Sequence, residues 1–121
     1  MNLITRLART AGFCLVLIVV AQFDRASAEE TFSTSVQPVL RKYCVRCHGP
    51  EKQSGDFRVD TLTANFDSAE QAAHWVEVMD NLNLGEMPPE DEPNPPPDML
   101  RSVTRWIAAE LRAAERRTAG A

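Results

Sequence analysis

Cysteine is scarce in this chain. Three thiols occur in 121 residues, at Cys14, Cys44 and Cys47, and no second pair follows Cys44 and Cys47 to complete a four-ligand zinc site. Long apolar runs are also lacking. The run from Ala11 to Ala21 falls well short of the ~20 residues that a membrane-spanning helix needs, and it gives way to Gln22, Asp24 and Arg25. No stretch alternates apolar and polar residues in the manner of a strand, and no internal repeat is visible. Positive charge is limited too: from Glu29 onward there are 16 Asp and Glu against 10 Lys and Arg, a formal charge of −6. That balance argues against nucleic acid as a partner and for steering toward a basic patch on a protein partner.

Arg6 and Arg9 precede the apolar run, and Ala26-Ser27-Ala28 offers small residues at a cleavage position. This is the pattern of a secretory signal. The expected organisation is a signal over residues 1–28 and one small domain over residues 29–121, delivered to the periplasm or otherwise exported, with no stable membrane insertion after cleavage. Cys14 is filler within the signal. A domain of 93 residues buries only a little over ~60% of its unfolded surface, and chains near this length often lean on a metal or cofactor as a staple.

Against that background stands Cys44-Val45-Arg46-Cys47-His48. Two thiols three positions apart with an imidazole directly after the second is the attachment spacing of a c-type haem. The physical reason is that two carbons on one porphyrin edge must each meet a sulfur while the next residue carries its ring beneath the iron. His48 is then the proximal ligand, and its second ring nitrogen needs a hydrogen-bond partner to fix the tautomer. The rival readings are a thioredoxin-like redox pair, half of a zinc site and a plain disulfide. The first belongs near a βαβ pattern and the second needs further ligands.

Three stretches carry helical periodicity, so the fold class is mainly α, a small helical domain wrapped around one covalently bound haem. The first runs from about Thr34 to Tyr43 with Phe32, Val36, Leu40 and Tyr43 on one face, and Pro38 is tolerable in its first turn after a Ser35 or Thr34 cap. The second opens on Asp67-Ser68-Ala69-Glu70 with capping-box spacing, continues through Ala72, Trp75, Val76, Met79 and Leu82, and ends at Gly85. The third follows Pro95-Pro96-Pro97 with Asp98 as its cap. It sets Leu100, Val103, Ile107, Leu111 and Ala114 on one side and Arg101, Arg105 and Arg112 toward water. The tail Glu115 to Ala121 is expected to fray. Phe32, Tyr43, Trp75 and Trp106 read as core aromatics.

Met87 to Pro97 holds six prolines in eleven positions, a stiff strap that holds the backbone around Met87. Met87, 39 residues after His48, is the expected distal ligand: a thioether is a soft donor that favours the ferrous state. Met79 and Met99 read as packing, and His74 is the only candidate for a second histidine ligand. Arg58 is a candidate partner for a haem propionate, a solvated arginine being the bland alternative. Glu86 reads as a surface charge.

These residues together resemble the planctomycete-type cytochrome c domains. The similarity lies in Phe32, Val36, Pro38 and Leu40 before Cys44 to Lys52, then Gly55, Arg58 and Asp60-Thr61, then Gly85-Glu86-Met87-Pro88-Pro89, and last Trp106-Ile107. It implies a single covalently bound haem c, a small helical cytochrome fold, and His48 with Met87 as axial ligands. Similar domains are usually the amino-terminal part of longer exported proteins, so a free carrier and the head of a larger protein are both open. The expected function is one-electron transfer to and from a redox partner protein, without enzymatic activity. The alternative is an open iron serving as a gas sensor or peroxidase-like enzyme, for which no distal histidine and arginine arrangement is seen; a haem acting only as a structural staple is the third reading.

Overall fold

The computed structural model describes residues 25–121. The expected signal as far as residue 24, Cys14 included, lies outside the described residues. Residues 25–31 are helical and lead into a π-helical turn, Phe32–Val36, and then α1, Gln37–Tyr43. A 3-10 turn, Ser54–Asp56, comes next, and then two long helices, α2 over Ala69–Leu84 and α3 over Pro97–Ala119. There is no named strand among the described residues, so the mainly α expectation holds. No described helix is long and apolar enough to cross a membrane.

The first helix differs from its expected start. It does not begin at a Thr34 or Ser35 cap: Val36 is the N-cap of α1, a helical turn precedes it, and Pro38 lies in the first turn of α1 as expected. Proline lacks an N–H and its ring crowds the carbonyl four residues back. The π turn relieves this by bonding Gln37 N–H to the Phe32 carbonyl, five residues back rather than four. Thr34 Oγ1 donates to the Glu30 carbonyl at 2.7 Å and caps nothing.

α2 is capped one residue later than the Asp67-to-Glu70 spacing suggested. Ser68 is the cap and accepts from Gln71 N–H. Asp67 is drawn away by arginines, accepting from Arg117 Nε at 2.8 Å and from Arg25 at 2.5 Å. α3, by contrast, starts without a side-chain cap. Pro97 occupies the first turn, where its missing N–H costs nothing, and Asp98 contributes only negative charge near the positive end of the helix. The tail does not fray, because α3 continues to Ala119 and Arg117 clips its last turn to Asp67.

The core gathers Phe32, Val36, Val39 and Leu40 from the first helix, Val59, Leu62 and Phe66 from the connecting loop, Trp75 from α2, and Val103, Trp106 and Ile107 from α3. Four of these rings interlock. Trp75 and Trp106 meet edge to face at 5.2 Å, Phe66 stacks on Trp75 at 5.7 Å, and Phe32 stacks on Trp106 at 5.8 Å. Such pairs add to the burial of the largest side chains available. The fully buried Trp75 gives its indole N–H to the Thr63 carbonyl at 2.8 Å. Tyr43 is only half-buried at the edge of this core. Val76 points outward and Val78 packs against the core in its place, a shift of half a turn in the expected stripe.

The Arg117 hydrogen bond, reinforced by charge from Arg117 and Arg25, holds the Asp67 carboxyl below the usual carboxylate range. A depressed folded-state value stabilises the fold above the unfolded pKa of about 3.9 and ceases to do so as pH falls through the folded value. Asp67→Asn should therefore lower stability at neutral pH, with the difference from the parent shrinking below about pH 4. Denaturant melts of both proteins between pH 7 and pH 2 measure this, and a difference that is constant with pH would contradict it.

Candidate functional site

α1 delivers the attachment turn directly. Cys44 N–H and Val45 N–H both donate to the Leu40 carbonyl, at 2.9 and 3.0 Å, and Cys47 N–H and His48 N–H both return to the Cys44 carbonyl, at 3.1 and 2.9 Å. Downstream backbone then closes the turn. Ser54 N–H donates to the Cys47 carbonyl and Val59 N–H to the His48 carbonyl, each at 2.9 Å, while Gly49 N–H meets the Lys52 carbonyl at 2.8 Å. Gly49 is buried where the chain folds back on itself. A Cβ there would lie 2.4 Å from the Val45 carbonyl oxygen and 2.8 Å from its Cγ1.

His48 has a hydrogen-bond partner that its sequence neighbours do not reveal. Its Nδ1 lies 3.3 Å from the Phe57 carbonyl oxygen. A carbonyl only accepts, so Nδ1 carries the proton and Nε2 keeps its lone pair free. The Phe57 ring meets the His48 ring edge to face at 6.0 Å and the His74 ring in the same way at 5.3 Å. Phe57 therefore touches both imidazoles, and His74 lies outside the cleft wall that His48 lines.

That cleft encloses about 200 Å³ and opens to solvent at its mouth. Its walls are mostly apolar: Val39, Leu40 and Val59 on one side, Val78 and Leu82 of α2 on another, and Leu100 and Val103 of α3 behind. Cys44, His48 and Met87 all line it. An adjoining space of about 250 Å³ shares Cys44, His48, Leu82 and Met87 and adds Cys47. Both thiols are free, and burial, with charge from Cys47, pushes the Cys44 thiol from 9.0 up to about 11. No three His, Cys, Asp or Glu side chains converge in a metal-holding cluster among the described residues.

Met87 is positioned by the end of α2. Gly85 takes the left-handed conformation at φ 72°, as a glycine past a helix end readily does. Its N–H, with those of Glu86 at 3.0 Å and Met87 at 3.3 Å, converges on the Asn81 carbonyl. The Met87–Pro88 peptide is cis. The strap then returns through a buried Pro95, which joins Pro88 on the cleft wall. Arg46 in the attachment turn pairs with Glu92 of the strap across the mouth.

Of the five residues singled out in the sequence, Cys44, His48 and Met87 line the cleft and Cys47 lines the space adjoining it. Arg58 is not among its lining residues; its guanidinium is engaged with Asp60, with Nε 2.9 Å from the carboxylate. Met79 packs against the core, and Met99 is exposed beside the first helix, lining a different groove. Sequence reasoning gave Gly49, Phe57 and Asn81 no role at the site. Gly49 left a faint signal as a small residue directly after His48. Phe57 and Asn81 act there through backbone carbonyls, which every residue type carries.

Helices packed around an apolar cleft, with a Cys-x-x-Cys-His turn on one wall and a methionine on another, define a cytochrome c-like domain. Residues 44–91, which run from the attachment turn through Met87, match the family model of Planctomycete cytochrome C. The class implies a protein that binds haem c and carries electrons. No curated protein and no solved structure matches the chain.

Gly49→Ala should destabilise the matured protein by about 1–3 kcal/mol, the range for overpacking against atoms that cannot yield. Gly120→Ala, where the nearest atom is 3.4 Å away, should be close to neutral. Thermal melts of the two variants check the contrast, and equal stability for both would remove the steric reading of Gly49.

Proposed function

We propose that this protein is an exported monohaem c-type cytochrome that performs one-electron transfer, with haem covalently held by Cys44 and Cys47 and ligated by His48 and Met87. The observation that carries this reading is the meeting of two free thiols, an imidazole with an available Nε2 and a thioether at an apolar cleft and the space adjoining it. The donor set fits the group. Thiols at this spacing suit attachment to one porphyrin edge, and the apolar walls suit the macrocycle. When bound, the haem supplies an Fe(III)/Fe(II) couple.

The chain's own residues have separate tasks. The Phe57 carbonyl holds Nδ1–H of His48 and so fixes which nitrogen is free to bind, raising the basicity of the ligand. The Asn81 carbonyl and Gly85 set the path of the backbone into Met87, so the thioether is presented by main-chain geometry. The apolar walls exclude water, and their low dielectric is a main lever on reduction potential. Two ligands that stay in place in both oxidation states keep rearrangement small. On this reading residues 1–28 are the secretory signal, residues 29–121 are the haem domain, and the protein works outside the cytoplasmic membrane with a redox protein as its partner.

The visible spectrum tests the ligand assignment. Protein matured with the cytochrome c attachment machinery should show the ferrous bands of a low-spin c-type haem and a weak ferric charge-transfer band in the far red. That band should vanish in Met87→Ala, and the reduced variant should bind carbon monoxide on the order of ten times faster than the parent or more, as expected when an open position replaces a bound ligand. A band unchanged by the substitution rules out Met87.

A further inference from the structure

The two sides of the cleft carry opposite charge. Residues 37–58, which contain the attachment turn, hold five Lys and Arg against two carboxylates, whereas residues 75–100, which contain Met87, hold seven carboxylates and no Lys, Arg or His. The acidic side also bears exposed apolar surface. Val76 is 39% exposed and Leu84 is 72% exposed, and with Asp80 they fall at i, i+4 and i+8 on the outward face of α2. Glu77 on the same helix lines the cleft itself. The carboxyl end of α2 adds the negative pole of its dipole beside Leu84, with no basic residue in its last turn.

From this arrangement we infer that the outward face of α2, continued by the first residues of the strap, is the surface on which a cationic redox protein docks. The inference depends on the electron-carrier reading above. Leu84 and Val76 form the apolar contact, and Glu77, Asp80, Glu86 and Asp91 supply the surrounding negative field. Interfaces of short-lived redox complexes are small, so a modest apolar centre with charge for steering meets the requirement. Charge complementarity selects the partner, a protein whose lysines or arginines ring an apolar spot. An acidic partner would instead be drawn to the attachment side.

The test uses the haem-loaded full domain and a basic, lysine-rich cytochrome c as probe. One electron passes between reduced protein and oxidised probe, and no bond forms or breaks. Stopped-flow exchange should slow about tenfold or more between 10 mM and 200 mM ionic strength, as a steered encounter does. Asp80→Asn with Asp91→Asn should lower the rate roughly threefold or more at low salt and flatten the salt dependence. Leu84→Ala should slow exchange without changing that dependence. Glu51→Gln with Asp56→Asn, on the other side, should leave the rate within about twofold of the parent, since those charges lie outside the contact. In titrations of 15N-labelled protein with the same probe, the amides of residues 76–92 should shift most.

A salt-independent rate, equal losses from both double variants, or shifts concentrated in residues 37–58 would each overturn the docking surface. So would concentration-dependent self-association of this chain through its two oppositely charged sides, seen by sedimentation. If no variant and no parent carries covalent haem, it is the carrier reading that fails, and the spectrum reports that separately.

Discussion

The geometry of this protein depends on the closure of one short backbone turn. Residues 44–48 are tied upstream to Leu40 and internally to the Cys44 carbonyl; downstream, the Ser54 and Val59 amides donate to the Cys47 and His48 carbonyls, and the Phe57 carbonyl accepts from His48 Nδ1–H. Val59 is also a buried member of the core. The loop that locks the imidazole is therefore the loop that the aromatic cluster anchors. Packing of Trp75, Trp106, Phe32 and Phe66 thereby reaches the site through Val59, as it also does through Val39, Leu40 and Val103, core residues that line the cleft.

On the opposite wall the controlling interactions are again main-chain. The Asn81 carbonyl gathers the amides beyond the end of α2, and Gly85 turns the chain. The Arg46–Glu92 pair across the mouth is a weaker constraint: the Arg46 side chain is 69% exposed, so water screens the pair. A helix end and a proline-rich strap set where Met87 lies. The bridging charges at most modulate how readily the mouth opens.

Much of this was legible in the sequence, because the features that define it are periodic or chemically distinctive. Cys-x-x-Cys-His, the Gly85 to Pro89 segment and the apolar stripe ending in Val103 and Ile107 each announce themselves through spacing. What escaped had other physical origins. The Asp67 cap gave way to Ser68 because distant arginines competed for the carboxylate, a tertiary effect. The first helix is preceded by a π turn that accommodates Pro38, in place of a Thr34 or Ser35 cap. Val76 and Val78 exchanged roles because both are apolar and only packing decides which turns inward. Arg58 pairs with Asp60, a carboxylate two residues away, a contact that the spacing permits and does not specify. The roles of Phe57 and Asn81 reside in their carbonyls, to which sequence is blind.

Every role proposed for the cleft requires that Cys44 and Cys47 carry one haem through thioether bonds. Intact-mass measurement of the exported protein, made in a host able to mature c-type cytochromes, decides this. The expected product has the polypeptide mass plus one haem, surviving denaturation and acid extraction, with both thiols blocked to alkylation. A product at the bare polypeptide mass with two alkylatable thiols would contradict it.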